Sequence, residues 1–333
     1  MHPGDYDVAD IAQASETGRV PADARIDDLL DSAYRRALTH REGTVADYIP
    51  ILGRADPEAF GVSVVDVDGG IHSVGDTATR FSIQSISKAF VYALLCEAVG
   101  HTDAYRIVGV NNTGAPFNSV VAIELNGGHP GNPMVNAGAI ATTALIPGGS
   151  AAEKWDAVHA GLSRFAGRAL DVDDEVYRSE SETNQRNRAI ATLLQSYDRI
   201  RCDPLEAVDV YTRQCSLLVD ARDLAVMGAT LADGGVNPVT GERVVSAEVA
   251  RDTLAVMAAS GLYERSGEWL FEIGMPGKSG VAGGLVTIAP GKVGIGAYAP
   301  PLDSAGNSVR GQIATAYLSR ALGLNIFASA SHA

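Results

Sequence analysis

The apolar positions of this 333-residue chain change their period several times along its length. From Ile26 they follow a helical spacing (Ile26, Leu29, Leu30, Ala33, Ala37), and Asp27 and Asp28 suit the positive end of that helix. Residues 1–25 are polar and small, without periodicity, and are expected to form a loose arm. The run Gly61-Val-Ser-Val-Val-Asp-Val-Asp then alternates, reaches Gly69-Gly70 and resumes as Ile71-His-Ser-Val, which predicts a β-hairpin. Residues 89–99 are apolar all round and predict a buried helix that stops at Gly100. Further on, Asn/Gly/Pro loops at 111–118 and 127–133 alternate with helical stretches at 151–166 and 186–197. Asp220 reads as the cap of a helix reaching Ala232 and closed by Gly234-Gly235. Residues 281–289 and 292–299 read as strands joined at Pro290-Gly291, before a last amphipathic helix at 312–322.

Helix and hairpin at the front, hairpin and helix at the back, and a helical middle predict an α/β chain of the α+β type. One antiparallel sheet flanked by helices is expected from 26–105 and 220–333, interrupted by an all-helical inserted domain at 106–219.

Composition narrows what such a chain can do. It carries 46% hydrophobic and 20% charged residues and a net charge of −14, so its surface repels phosphate backbones and no nucleic-acid partner is expected. No apolar stretch approaches the roughly 18–20 residues that span a bilayer, so no membrane association is expected. The first residues show neither a basic start nor an apolar segment, so no secretory signal is expected. Cys96, Cys202 and Cys215 have no C-x-x-C spacing and the seven histidines form no H-x-x-x-H pair. A reduced, cytoplasmic protein with no zinc site fits that usage.

Only four of the 26 basic residues are lysine: Lys88, Lys154, Lys278 and Lys292. Two of them sit in chemically suggestive places. In Ser85-Ile-Ser-Lys88, an i, i+3 spacing on a helix puts the lysine within reach of the serine, and a lysine desolvated by an apolar helix can act as a neutral base for that hydroxyl. Lys278-Ser279-Gly280, read as opening the strand at 281, is the close equivalent of the K-T-G element that accompanies S-x-x-K in β-lactamases and penicillin-binding proteins. There the lysine would add positive field to the site. The same Gly277-Lys278-Ser279 does not complete a phosphate-binding loop, because Glu272 stands where the leading glycine belongs and Pro276 removes a backbone N–H.

The segments 81–88 (Phe-Ser-Ile-Gln-Ser-Ile-Ser-Lys), 132–140 (Asn-Pro-Met-Val-Asn-Ala-Gly-Ala-Ile) and 278–284 (Lys-Ser-Gly-Val-Ala-Gly-Gly), with Gly241-Glu-Arg-Val and Gly306-Asn-Ser-Val, closely resemble the serine-dependent glutaminases. That family lies in the β-lactamase/penicillin-binding-protein-like superfamily, and the resemblance runs from about 47 to 324. It implies hydrolysis of the side-chain amide of L-glutamine to L-glutamate and ammonia, with no cofactor and a homo-oligomer, dimer or tetramer. By the same resemblance Ser85 is the nucleophile and Lys88 its base, with the backbone N–H groups of Ser85 and Val281 forming the oxyanion hole. Tyr48, Asn136, Glu180, Asn187, Tyr211 and Tyr263 match substrate-contacting positions, and Tyr263 is the better candidate to pass a proton to the leaving ammonia. Glu180 suits the substrate ammonium, and the asparagines and tyrosines suit its carboxylate.

Composition and spacing alone single out none of these six. Asn136 beside Gly138 also reads as a turn or cap, and Glu180 and Asn187 lie in a polar run, 179–188, that reads as a solvated face. Asn111-Asn-Thr-Gly replaces the family's usual Pro-Ser-Gly turn, and Gly261-Leu-Tyr its Gly-Met-Tyr. The superfamily's S-D-N element is absent, with Tyr211-Thr-Arg-Gln in that region, which weighs against a β-lactamase. Two alternatives stay open on sequence: a penicillin-recognising serine hydrolase (esterase, peptidase or β-lactamase), and an amino-acid-binding protein without turnover.

Overall fold

A computed structural model describes residues 23–329. Helix α1 (Asp23–Leu38) opens it, so residues 23–25 are helical rather than part of an arm, and residues 1–22 of the expected arm lie outside the described residues. The predicted hairpin is β1 (Gly61–Asp66) and β2 (Ile71–Gly75). Its turn forms because Asp66 Oδ1 accepts from the N–H groups of Asp68 and Gly70 at 2.8 and 2.9 Å, while Gly69 takes a φ of +93° that side chains disfavour.

Strand β3 (Phe81–Ser82) leads through a 3-10 turn (Gln84–Ile86) into α2 (Ser87–Val99). Between 101 and 215 the regular elements are helices apart from one two-residue strand. It comprises α3 (His101–Val108), α4 (Val121–Leu125), α5 (Asn136–Leu145), α6 (Ala151–Ala166), β4 (Asp171–Val172), α7 (Asp174–Thr183), α8 (Gln185–Ser196) and α9 (Pro204–Cys215). Helix α3 runs through 105–106, where the sequence pattern suggested a boundary. Strand β5 (Leu217–Val219) and helix α10 (Ala221–Ala232) follow, and α10 carries a reciprocal capping box between Asp220 and Asp223. The chain ends with α11 (Ala247–Ser260), α12 (Ser266–Glu272), β6 (Gly277–Ser279), β7 (Gly284–Ala289), β8 (Val293–Tyr298) and α13 (Val309–Ala321). The Lys278-Ser279 pair therefore lies in its own strand and not at the head of the next. Residues 281–283 are a turn, with Gly283 at φ +101°.

The main sheet has the order β2-β1-β8-β7-β6, every pair antiparallel. Side chains alternate between two covered faces. Val62, Val64, Leu285, Ile295 and Ala297 join Ile26, Leu30 and Ile313 of α1 and α13 in one cluster. The opposite face meets α10, and there the contact is made by small residues. A Cβ on Gly294 would lie 2.2 Å from the backbone nitrogen of Ala229, and one on Gly296 would lie 2.0 Å from the carbonyl oxygen of Ala221. Such backbone-on-backbone contact is possible only for glycine. A second, small sheet, β3-β5-β4, ties the segment before Ser85 to the helical stretch, with Ile83 N–H donating to Leu217 O at 2.8 Å.

Candidate active site

Ser85 stands on the 3-10 turn that feeds α2, and that turn is held from three directions. Gln84 takes φ +52°, a left-handed conformation rare for a residue with a side chain. Its amide donates to Ser82 Oγ at 3.0 Å and to Glu180 Oε1 at 2.6 Å. Ser87 Oγ donates to Gln84 O at 2.8 Å and accepts from Gln214 Nε2 at 3.2 Å, and Gln214 in turn accepts from Thr143. From the sheet side, Gly280 presses against the turn: a Cβ there would sit 3.0 Å from Ile83 O and 3.3 Å from the Gln84 side chain. This close approach is the structural use of the glycine in Lys278-Ser279-Gly280. It also brings Val281 beside the nucleophile segment.

Ser85 remains partly open, with the Tyr263 phenol close to its hydroxyl. Tyr263 also has a positive φ, +56°, so two of the three non-glycine residues with this geometry among the described residues border the same hydroxyl. Burial raises the phenol above its ordinary value and keeps it protonated. Lys278 Nζ lies 4.0 Å over the centre of the Tyr263 ring and Lys88 Nζ 5.5 Å from it.

Both lysines are completely buried. The Lys88 ammonium donates to Asn136 Oδ1 at 2.7 Å and to Met134 O at 3.3 Å, yet burial still lowers it to about 8. Lys278 donates to Ser279 O at 3.0 Å. Burial first, and the Lys88 charge second, push it well below the ordinary lysine value. The positive field expected of Lys278 is thus contested, because the two ammonium groups share one dry compartment. A lysine at about 8 is neutral in a useful fraction of molecules near neutral pH, which is what a base for Ser85 requires.

Around this centre the remaining expected residues gather from distant parts of the chain. Asn136, at the first turn of α5, donates to Asn187 Oδ1 on α8 at 2.9 Å and accepts from the Tyr211 hydroxyl on α9 at 3.5 Å. It is therefore a helix-opening residue and a hub at once. Glu180, in the polar run that also read as solvated, sits on α7, where burial lifts its carboxyl to about 7 against the Gln84 hydrogen bond and the Lys88 charge. Tyr48 is 60% exposed at the rim. Ser279 is buried beside Lys278, and Val281 is half-buried.

A profile of the glutaminase family matches residues 43–327. The chain is 54% identical over 313 residues to "Glutaminase 2" of Yersinia pestis, covering 94% of this chain and 92% of that protein. It is 48% identical over 307 residues to a glutaminase of Colwellia psychrerythraea, covering 92% and 99%. Among solved structures, the probable glutaminase ybaS superposes with a TM-score of 0.91 at 46% identity, covering 93% of this chain and all of that one.

The chain belongs to the glutaminase family.

A Bacillus glutaminase shares the fold at a TM-score of 0.80 and 32% identity, which agrees with the β-lactamase-like arrangement of an antiparallel sheet flanked by helices. In this glutaminase the sequence reading missed four residues that border the centre. Gln84 bridges Ser82 to Glu180, and Gln214 reaches Ser87. Phe117 stacks on Tyr263 with ring centres 5.0 Å apart. Cys215, one helical turn after Tyr211, is buried close to it, and burial pushes its thiol up to about 12. Only their nearness in sequence to Ser85, Tyr211 and the 111–118 loop could have pointed to them.

One grouping of metal-ligating side chains occurs among the described residues, His101 with Glu248 and Asp252. It lies on the surface away from Ser85, and Arg251 pairs with both acids. No described helix is long and apolar enough to cross a membrane.

Proposed function

We propose that this amidohydrolase converts L-glutamine to L-glutamate and ammonia through a γ-glutamyl ester on Ser85. The observation that carries the reading is the pair of buried lysines, Lys88 and Lys278, set over the Tyr263 ring beside the partly open Ser85, in a chain of the glutaminase family. Neutral Lys88 takes the Ser85 proton as Oγ attacks the side-chain carbonyl carbon of glutamine. The oxygen of the tetrahedral intermediate is held by the backbone N–H groups of Ser85 and Val281. Tyr263, kept protonated by burial, delivers a proton to the departing ammonia and takes back the proton that Lys88 accepted from Ser85. Water then attacks the ester, regenerating Ser85 and releasing glutamate. Glu180 receives the substrate ammonium, and Asn136, Asn187, Tyr211 and Tyr48 serve the rest of the amino acid. We read the protein further as cytoplasmic and homo-oligomeric. Its three free cysteines support the first, and the family resemblance supports the second.

Ammonia release from L-glutamine, run beside L-asparagine and a chromogenic β-lactam with Ser85→Ala as control, tests this. Glutamine turnover that drops at least about 10³-fold in the variant is the expected result. Turnover of the β-lactam alone moves the assignment to a penicillin-recognising hydrolase. A Ser85→Ala enzyme with full activity overturns the mechanism.

A further inference from the structure

The loop at 111–118 does more than shape a turn. Asn112 is exposed, yet its side chain is fully engaged. Nδ2 donates to Ala259 O at 3.2 Å and to Tyr263 O at 2.9 Å, and Oδ1 accepts from Gly114 N–H at 2.8 Å. Ala259 lies in the last turn of α11, whose final carbonyls have no partner within the helix. Tyr263 follows four residues later, at a backbone angle that its surroundings must enforce. The other anchor on that carbonyl is local: Ser266 Oγ donates to Tyr263 O at 2.8 Å and accepts from Leu262 N–H at 3.1 Å. Asn112 supplies the anchor from outside, 151 residues away in sequence. Five residues on, Phe117 stacks on the Tyr263 ring, and its carbonyl accepts from Asn136 N–H at 2.8 Å. The loop therefore holds Tyr263 at both ends, main chain by Asn112 and ring by Phe117.

We propose that Asn112 is a positioning residue for the reaction, whose carboxamide fixes the turn between α11 and Tyr263 and so sets the phenol against Ser85. This rests on the role given above to Tyr263. A hydroxyl that must pass a proton tolerates little displacement, since a shift of about 1 Å can cost on the order of 10²-fold in rate. The geometry distinguishes donor from acceptor. Asn112→Asp keeps the acceptor for Gly114 N–H but faces the two carbonyls with a carboxylate, whereas Asn112→Ala loses both functions.

The test is steady-state glutamine hydrolysis by both variants, with thermal unfolding measured in parallel and Ser85→Ala alongside. Both Asn112 variants are expected to lose about tenfold or more in kcat, with KM within about twofold. Tm should move by no more than about 3 °C, because an exposed side chain supports no core. Wild-type kcat in Asn112→Asp reduces Asn112 to a turn former and overturns the proposal. A rise in KM at constant kcat overturns it too, as does a Tm loss well beyond 3 °C in both variants. Activity surviving in Ser85→Ala would instead sink the acyl-enzyme reading, and the two failures are distinguishable on one plate.

Discussion

Two buried regions of this molecule lie side by side and are built on opposite rules. Where α10 crosses β8, glycine and alanine let backbone touch backbone, and little but dispersion and area burial is involved. At the mouth of α2, within reach of the same sheet, the chain buries two lysines, lifts a glutamate to about 7 and holds Gln84 and Tyr263 at positive φ. Burying two lysines and holding two residues at positive φ costs folding free energy, while the packing of α10 on the sheet supplies it. The difference teaches that the sheet with α10 is the platform whose stability permits a strained, dry, charged centre to exist.

The comparison breaks if the centre turns out to contribute stability. Replacing Lys88 with Met is expected to lower kcat by about 10³-fold while leaving Tm unchanged or higher. The sign follows from the shift. With the folded value near 8 and the ordinary value at 10.5, the unfolded chain binds the extra proton. The cost is thus fully present below pH 8 and fades as pH rises toward 10.5. A Lys88→Met enzyme that unfolds markedly earlier than wild type would contradict this. The opposite signature is expected on the platform. Gly294→Ala should lower stability by about 3 kcal/mol in urea unfolding, because its methyl group would meet α10 backbone at 2.2 Å, while kcat per folded molecule stays as in wild type. A stable Gly294→Ala protein would show that α10 can slide.

The smallest effect sharpens the picture of Glu180. Burial lifts its carboxyl to about 7, and in the role proposed for Glu180 only the carboxylate would hold the substrate ammonium. KM for glutamine should therefore fall several-fold as pH rises from about 6 to 8 and level off above, and Glu180→Gln should raise KM and flatten that dependence. A KM independent of pH in the wild type would assign the ammonium to another group.

The platform was largely legible in the sequence and the centre only in part. The β1–β2 hairpin, the capped α10 and the closing strands announce themselves through period-two alternation, glycine turns and an aspartate cap, all of which act over a few residues. Ser85 and Lys88 drew attention for the same reason, a spacing of three residues. The resemblance to a known family supplied Asn136, Glu180, Asn187 and the tyrosines, which spacing could not. Gln84 with Glu180 and Asn112 with Tyr263 are pairs 96 and 151 residues apart, made by topology alone. Helix α5 is buried on all sides, so its Ala/Gly/Thr sequence shows no polar stripe to mark it as a helix. The strand boundary at 281 was misplaced because Gly283-Gly284 continues a β-branched run while folding as a turn and a strand start.

The order of the main sheet also has a consequence for synthesis. Strand β8, drawn from near the end of the chain, lies between β1 and β7. The front hairpin leaves the ribosome more than two hundred residues before the strand that covers its inner edge. At ordinary elongation rates, β1 waits on the order of ten to fifty seconds with a row of open amides and carbonyls. The nascent chain is therefore most exposed to mispairing, and most in need of a holding chaperone, during translation of the very helices that carry Asn136, Glu180 and Tyr211.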